Sequence, residues 1–152
     1  MPPSSPASPP SPLFPEPPDW ACAGLLALAT AEPRFAAIEP TAGPLPWRTR
    51  TPGFAGLLRA ICGQQISNGA AAAIWRRLAA VPGALDPAGL LALDDATLCG
   101  VAGLSRPKAA HARSLARACL DGVLDFTALR AMADEAAVAH IAAVKGLGRW
   151  TA

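Results

Sequence analysis

The sequence predicts an all-α protein, and three observations point there. Of its 152 residues 52% are apolar, which is enough material for a core in a chain of this length. The apolar residues are mostly alanine and leucine, aromatic residues make up 5% and tyrosine is absent, a composition that suits packed helices better than a sheet. Apolar positions also recur at three- and four-residue spacing, the period of a helix with one buried face.

Taken in order, Met1 to Pro18 (MPPSSPASPPSPLFPEPP) lacks amide donors at many positions and favours extended polyproline conformations, so residues 1–18 are expected to be a disordered lead-in. Asp19 caps an apolar run, DWACAGLLALAT, that predicts a short helix ending before Pro33, followed by a proline- and glycine-rich loop to Pro52. Residues 19–51 thus form one small segment and 52–152 a larger helical domain. In FAGLLRAICGQQIS, Phe54, Leu57, Leu58 and Ile61 make one apolar stripe, and the helix then runs out into polar Gln64, Gln65 and Ser67. Ser67 caps the next helix, whose Ile74, Leu78 and Val81 share a face before Pro82-Gly83 stops it.

Asp94 is expected to cap a short helix that Gly103 ends, and Ser105 with Pro107 to start a longer one reaching Gly122. Ala112, Leu115, Ala116 and Cys119 form its buried stripe, while Arg113 and Arg117 share an exposed face without an acidic partner at helical spacing. Asp125 and Asp134 read as caps of two more helices, the second carrying Ala137, Ile141 and Val144 inward. No repeat of solenoid length is present.

Composition also excludes some functions. A net charge of +2 does not announce a nucleic-acid partner, although eleven of thirteen basic residues are arginine, so a binding signal has to be local. Cys22, Cys62, Cys99 and Cys119 lie far apart with no C-x-x-C pair, which argues against zinc and iron–sulfur sites and for buried free thiols. Neither a secretory signal nor a membrane-spanning run is evident, and a reducing cytoplasm is the expected location.

The chemistry concentrates in VKGLGRWTA, residues 144–152. Gly146 and Gly148 can take positive φ, letting the chain turn sharply and present bare amides at the start of a helix, where an anion is favoured. Lys145 and Arg149 flank the turn with positive charge. An ordinary helix–glycine–helix connection has the same spacing, so spacing leaves both readings open.

The three stretches FAGLLRAICGQQIS-x-x-AAAAIWRRL, GLSRPKAAHARSLA and VKGLGRWTA, in that order, resemble the helix–hairpin–helix (HhH-GPD) DNA glycosylases, in particular the bacterial 3-methyladenine DNA glycosylase II group, over Asp19 to Ala152. The resemblance implies two helical lobes around a cleft, with residues 19–51 in the first lobe and 52–152 ending in the hairpin that grips double-stranded DNA while a damaged base is flipped out. It implies that Lys145, Gly146, Leu147, Gly148, Arg149 and Thr151 hold the DNA backbone. Carbonyls of Ala142, Val144 and Leu147 would hold a monovalent cation, sodium or potassium. Gln64, Gln65 and Ser67 fall where the family meets the minor groove with its wedge; by composition alone the glutamines would be a solvated helix end.

At Trp150, strand-cutting relatives of the family carry a nucleophilic lysine, so the resemblance implies a monofunctional glycosylase, acting as a monomer without a catalytic cofactor. The indole would form an aromatic wall of the base pocket, favouring cationic alkylated purines such as 3-methyladenine; without the family it would be read as a core tryptophan. The family's catalytic aspartate follows W-T-A and is expected beyond Ala152, so these residues by themselves are expected to lack excision activity, as a fragment of such an enzyme. The alternative is a non-enzymatic module that binds DNA through the hairpin without reading sequence.

Overall fold

The computed structural model describes residues 17–43 and 50–152; most of the proline-rich lead-in and part of the 44–52 loop lie outside them. The described residues are helical, with no strand among them. The chain divides into two compact units, Met1–Arg50 and Thr51–Ala152.

In the first unit, α1 spans Asp19–Ala31, a 3-10 turn covers Pro33–Ala37 and α2 covers Ile38–Ala42. Helix α1 stops where the sequence says it should: Glu32 precedes a proline, a position that disfavours helical geometry, and adopts φ −140° and ψ 98°. The Glu32 carboxylate then accepts from the Arg34 amide at 3.2 Å and pairs with its Nε at 2.9 Å, which holds the carboxyl below its usual pKa. Sequence reading had not separated the 3-10 turn and α2 from the loop.

The second unit holds α3 (Phe54–Gly63), α4 (Asn68–Ala79), α5 (Pro87–Ala92), a π-type turn (Ala96–Val101), α6 (Arg106–Leu120), α7 (Phe126–Arg130) and α8 (Asp134–Ala142). Helix α6 lies at its centre, packed against α3, α5 and the π-turn. Its stripe of Ala109, Ala112, Leu115 and Ala116 is buried, and the alanines let neighbouring helices come close. Leu58, Ile61, Leu78, Leu90, Leu98 and Leu124 complete the core with no solvent exposure above a few per cent. Two arginines tie the periphery in. Arg77 of α4 donates from Nε to the Ala102 carbonyl at 3.2 Å, and Arg113 of α6 donates to the Leu93 carbonyl at 3.0 Å while pairing with Asp95 at 2.6 Å.

Arg113 has no acidic partner at helical spacing, as expected, but it is half-buried rather than exposed, and its acid comes from a different segment, which spacing along one helix does not show. Asp134 is likewise not a cap. It is the first residue of α8, and Ala133, in the cap position, offers no side-chain acceptor. Nor is Asp19 a cap: it is the first residue of α1, and Pro18 stands in the cap position without a side-chain bond. The remaining expected caps are present: Ser67, Asp94, Ser105 and Asp125 accept from the amides of Ala70, Thr97, Lys108 and both Thr127 and Ala128. Helix α5 escaped the sequence reading although Asp86-Pro87 is a clear start signal; Asp86 accepts from the Gly89 amide at 2.9 Å.

The four cysteines are free, but they are not all buried. Cys22 is exposed, whereas Cys62 is fully enclosed and its burial pushes the thiol up to about 11. Because the thiolate is the reactive form, a maleimide near neutral pH is expected to label Cys22 within minutes. Cys62 is expected to react only after denaturant is added, and peptide mapping that finds Cys62 labelled in native protein would contradict this packing.

Candidate nucleic-acid interface

The glycine corner follows directly from the end of α8. Val144 and Leu147 are buried at 5% exposure each and pin the turn from inside, and the Leu147 amide donates to the Val144 carbonyl at 3.0 Å. Between them Gly146 takes φ 95°, a conformation that side chains strongly resist. Gly148 does not have a positive φ, contrary to the expectation for both glycines. It instead opens one helical turn, its carbonyl accepting from the amides of Thr151 at 2.8 Å and Ala152 at 3.1 Å.

The amides of Gly148, Arg149 and Trp150 form no hydrogen bond among the described residues, and nothing lies within 4 Å of the position a Gly148 side chain would occupy. Three donors at the start of a helical turn are thus left without a partner among the described residues. Trp150 beside them is 100% exposed, so among the residues of its unit it is not a core tryptophan. Lys145 is also exposed, but Arg149 is engaged, its guanidinium meeting the Glu135 carboxylate at 2.8 Å. That ion pair is open to water on both sides and contributes little to stability. It does lower the positive potential at the turn. Glu135→Gln is therefore expected to raise affinity for a polyanion several-fold at low salt, roughly what removing one nearby repulsive charge provides. Titration against a duplex oligonucleotide checks it.

The carbonyls expected to hold a cation differ in their engagement. Those of Ala142 and Leu147 accept no hydrogen bond among the described residues, while that of Val144 accepts from Leu147 and keeps a second lone pair. Oxygen donors of this kind fit a hard monovalent ion.

Across the turn stands the α3–α4 corner. Gln65 is exposed and left-handed at φ 57°, a conformation costing a non-glycine residue about 1 kcal/mol, and Ser67 is exposed as the α4 cap. Gln64 points elsewhere: its Nε2 donates to the Gly146 carbonyl at 3.0 Å, in a partly buried contact. Two residues of α6 that sequence reading passed over also reach this place. Lys108 donates from Nζ to the Cys62 carbonyl at 2.8 Å, and the His111 imidazole lies directly against Gly146. They stand three apart on α6, within the quoted GLSRPKAAHARSLA, but only the folded chain gives that pair a partner.

The all-α unit thus closes on a turn that presents unpaired amides beside an exposed indole and a glutamine corner. The sequence pattern of the HhH-GPD superfamily base excision DNA repair proteins matches residues 58–151, and the chain belongs to that family. Among solved structures, a DNA-3-methyladenine glycosidase from Bacillus halodurans is similar at 29% identity and a TM-score of 0.68, over 82% of this chain and 58% of that one. A 3-methyladenine DNA glycosylase from Schizosaccharomyces pombe, solved in complex with abasic DNA, shares the fold at 23% identity and a TM-score of 0.72, over 85% of this chain and 66% of that one. The chain therefore spans less than two thirds of the length of either. No curated protein matches the sequence.

Proposed function

We propose that this chain carries the DNA-gripping and base-stacking part of a monofunctional glycosylase for alkylated bases such as 3-methyladenine, with double-stranded DNA as its partner. The observation that carries the reading is the row of open amides at Gly148, Arg149 and Trp150 beside a fully exposed indole. A phosphate oxygen accepts from such amides at a helical turn without a side chain in the way. Lys145 adds charge, and Thr151 steadies the turn through its backbone bond to Gly148. Phosphate contacts fix register without reading bases. The electron-rich face of Trp150 then favours a cationic methylated purine over a neutral one.

In the hydrolysis itself the bond between sugar C1′ and the base nitrogen breaks, the base leaves with the electron pair, and water adds to C1′ and loses a proton. Trp150 has no amine to attack the sugar, so no Schiff base forms and the strand stays intact. A monovalent cation held by the carbonyls of Ala142, Val144 and Leu147 would supply positive charge next to the phosphate. Several carboxylates have other occupations: Glu135 pairs with Arg149, Asp95 with Arg113, and Asp125, Asp94 and Asp86 accept from amides two or three residues on.

The test measures affinity for three duplexes that differ at one position: a normal base, a stable abasic analogue and a stable alkylated analogue. Preference for the modified duplexes, weakening with salt and reduced by Trp150→Ala, is the expected result. Equal affinity for all three would leave a sequence-blind hairpin module, and affinity indifferent to salt would remove the DNA reading.

A further inference from the structure

We infer that Gln64 is a positioning residue that bolts the glycine turn into its anion-binding shape; the inference rests on the function proposed above. The argument concerns one peptide unit. Between Gly146 and Leu147, the carbonyl of Gly146 accepts from Gln64 Nε2 at 3.0 Å and the amide of Leu147 donates to the Val144 carbonyl at 3.0 Å. A peptide is planar, so bonds at both of its ends prevent it from rotating. The next residues in the chain are Gly148, Arg149 and Trp150, whose open amides depend for their direction on that plane.

The bolt is itself held firmly. Lys108 fixes the end of α3 to α6 through the Cys62 carbonyl at 2.8 Å, two residues before Gln64. One helical turn further along α6, His111 backs the Cα of Gly146. The end of α3, the first two turns of α6 and the turn after α8 are thus joined at three points, closed by a contact between residues 82 apart in sequence. Gln64 and Gln65 divide the work of the corner. The first turns inward to the hairpin and the second remains exposed in a left-handed conformation.

The experiment uses the whole chain, an intact duplex and the same duplex carrying an abasic analogue, with amide NMR spectra of the free protein. Gln64→Met keeps the length and loses the donor. It is expected to shift the amide resonances of Gly148 to Trp150 and to weaken both duplexes by the same factor, roughly tenfold, with the salt dependence shallower by about one phosphate contact. Gln65→Ala is expected to leave those resonances in place. Gln64→Lys, which retains an N–H donor of similar reach, is expected to restore them, and it carries the test if the methionine variant does not fold. Unmoved resonances in Gln64→Met, or resonances in Gln64→Lys displaced as far as in a donor-less variant, overturn the proposal. So does a loss of affinity confined to the abasic duplex, which would make Gln64 a groove contact. If the unaltered chain binds neither duplex, the proposed function fails while the resonances still decide the bolt.

Discussion

Gly146→Ala is expected to lower the thermal midpoint by on the order of 10–20 °C and to abolish duplex binding with it. Two costs add at this position. An alanine at φ 95° sits outside the favoured regions, which costs about 1–2 kcal/mol. Its Cβ would also collide with the His111 ring, and overpacking of this kind costs about 1–3 kcal/mol. Together, at about 2–5 kcal/mol, they are a large fraction of the stability of a small domain. The two costs separate in a double-mutant cycle. In a His111→Gly background, which removes the Cβ as well as the ring, the collision disappears and only the backbone strain remains, so the penalty of Gly146→Ala is expected to fall by about half. Denaturant melts of the four proteins measure this. Strict additivity would mean that His111 does not press on the turn.

The glycine turn and its neighbours show where a sequence can be read and where it cannot. The all-α class, the starts of α4, α6 and α7 and the closing turn were legible because each depends on local chemistry: a serine or aspartate before an apolar run, a proline in the first turn, a glycine where the chain reverses. The role of Gln64 was not legible. The resemblance put it at the wedge beside Gln65, and adjacent residues in a sequence carry no sign of which one turns inward. His111 and Lys108 were hidden for the same reason: their partners, Gly146 and Cys62, are distant in sequence and are backbone atoms, which leave no trace in residue type. The partner of Arg113 was out of reach because its acid lies 18 residues away, outside the spacing that a single helix makes visible. The exposure of Trp150 was likewise invisible, since an indole after a glycine turn fits a core as readily as a surface.

Gly148 offers the complementary experiment, a change expected to remove binding and spare the fold. Its φ is not in the left-handed region and open space surrounds its missing side chain, so substitution incurs neither of the costs that apply at Gly146. Gly148→Asp is the sharpest choice. An aspartate at the start of a helical turn accepts from the amides two and three residues on, which here are those of Trp150 and Thr151. It would thus occupy the Trp150 amide, one of the three open donors, and its charge would repel a phosphate from the other two. Capping by a side chain stabilises a helix start by up to about 1 kcal/mol, so the melting temperature should hold or rise slightly. Duplex affinity at low salt should fall by on the order of a hundredfold, since charge-assisted bonds are replaced by repulsion. Gly148→Ala, which adds bulk without charge, should fall between the two. If Gly148→Asp melts like the unaltered protein and binds DNA equally well, the open amides are not where the strand is held, and the grip has to be sought on another face.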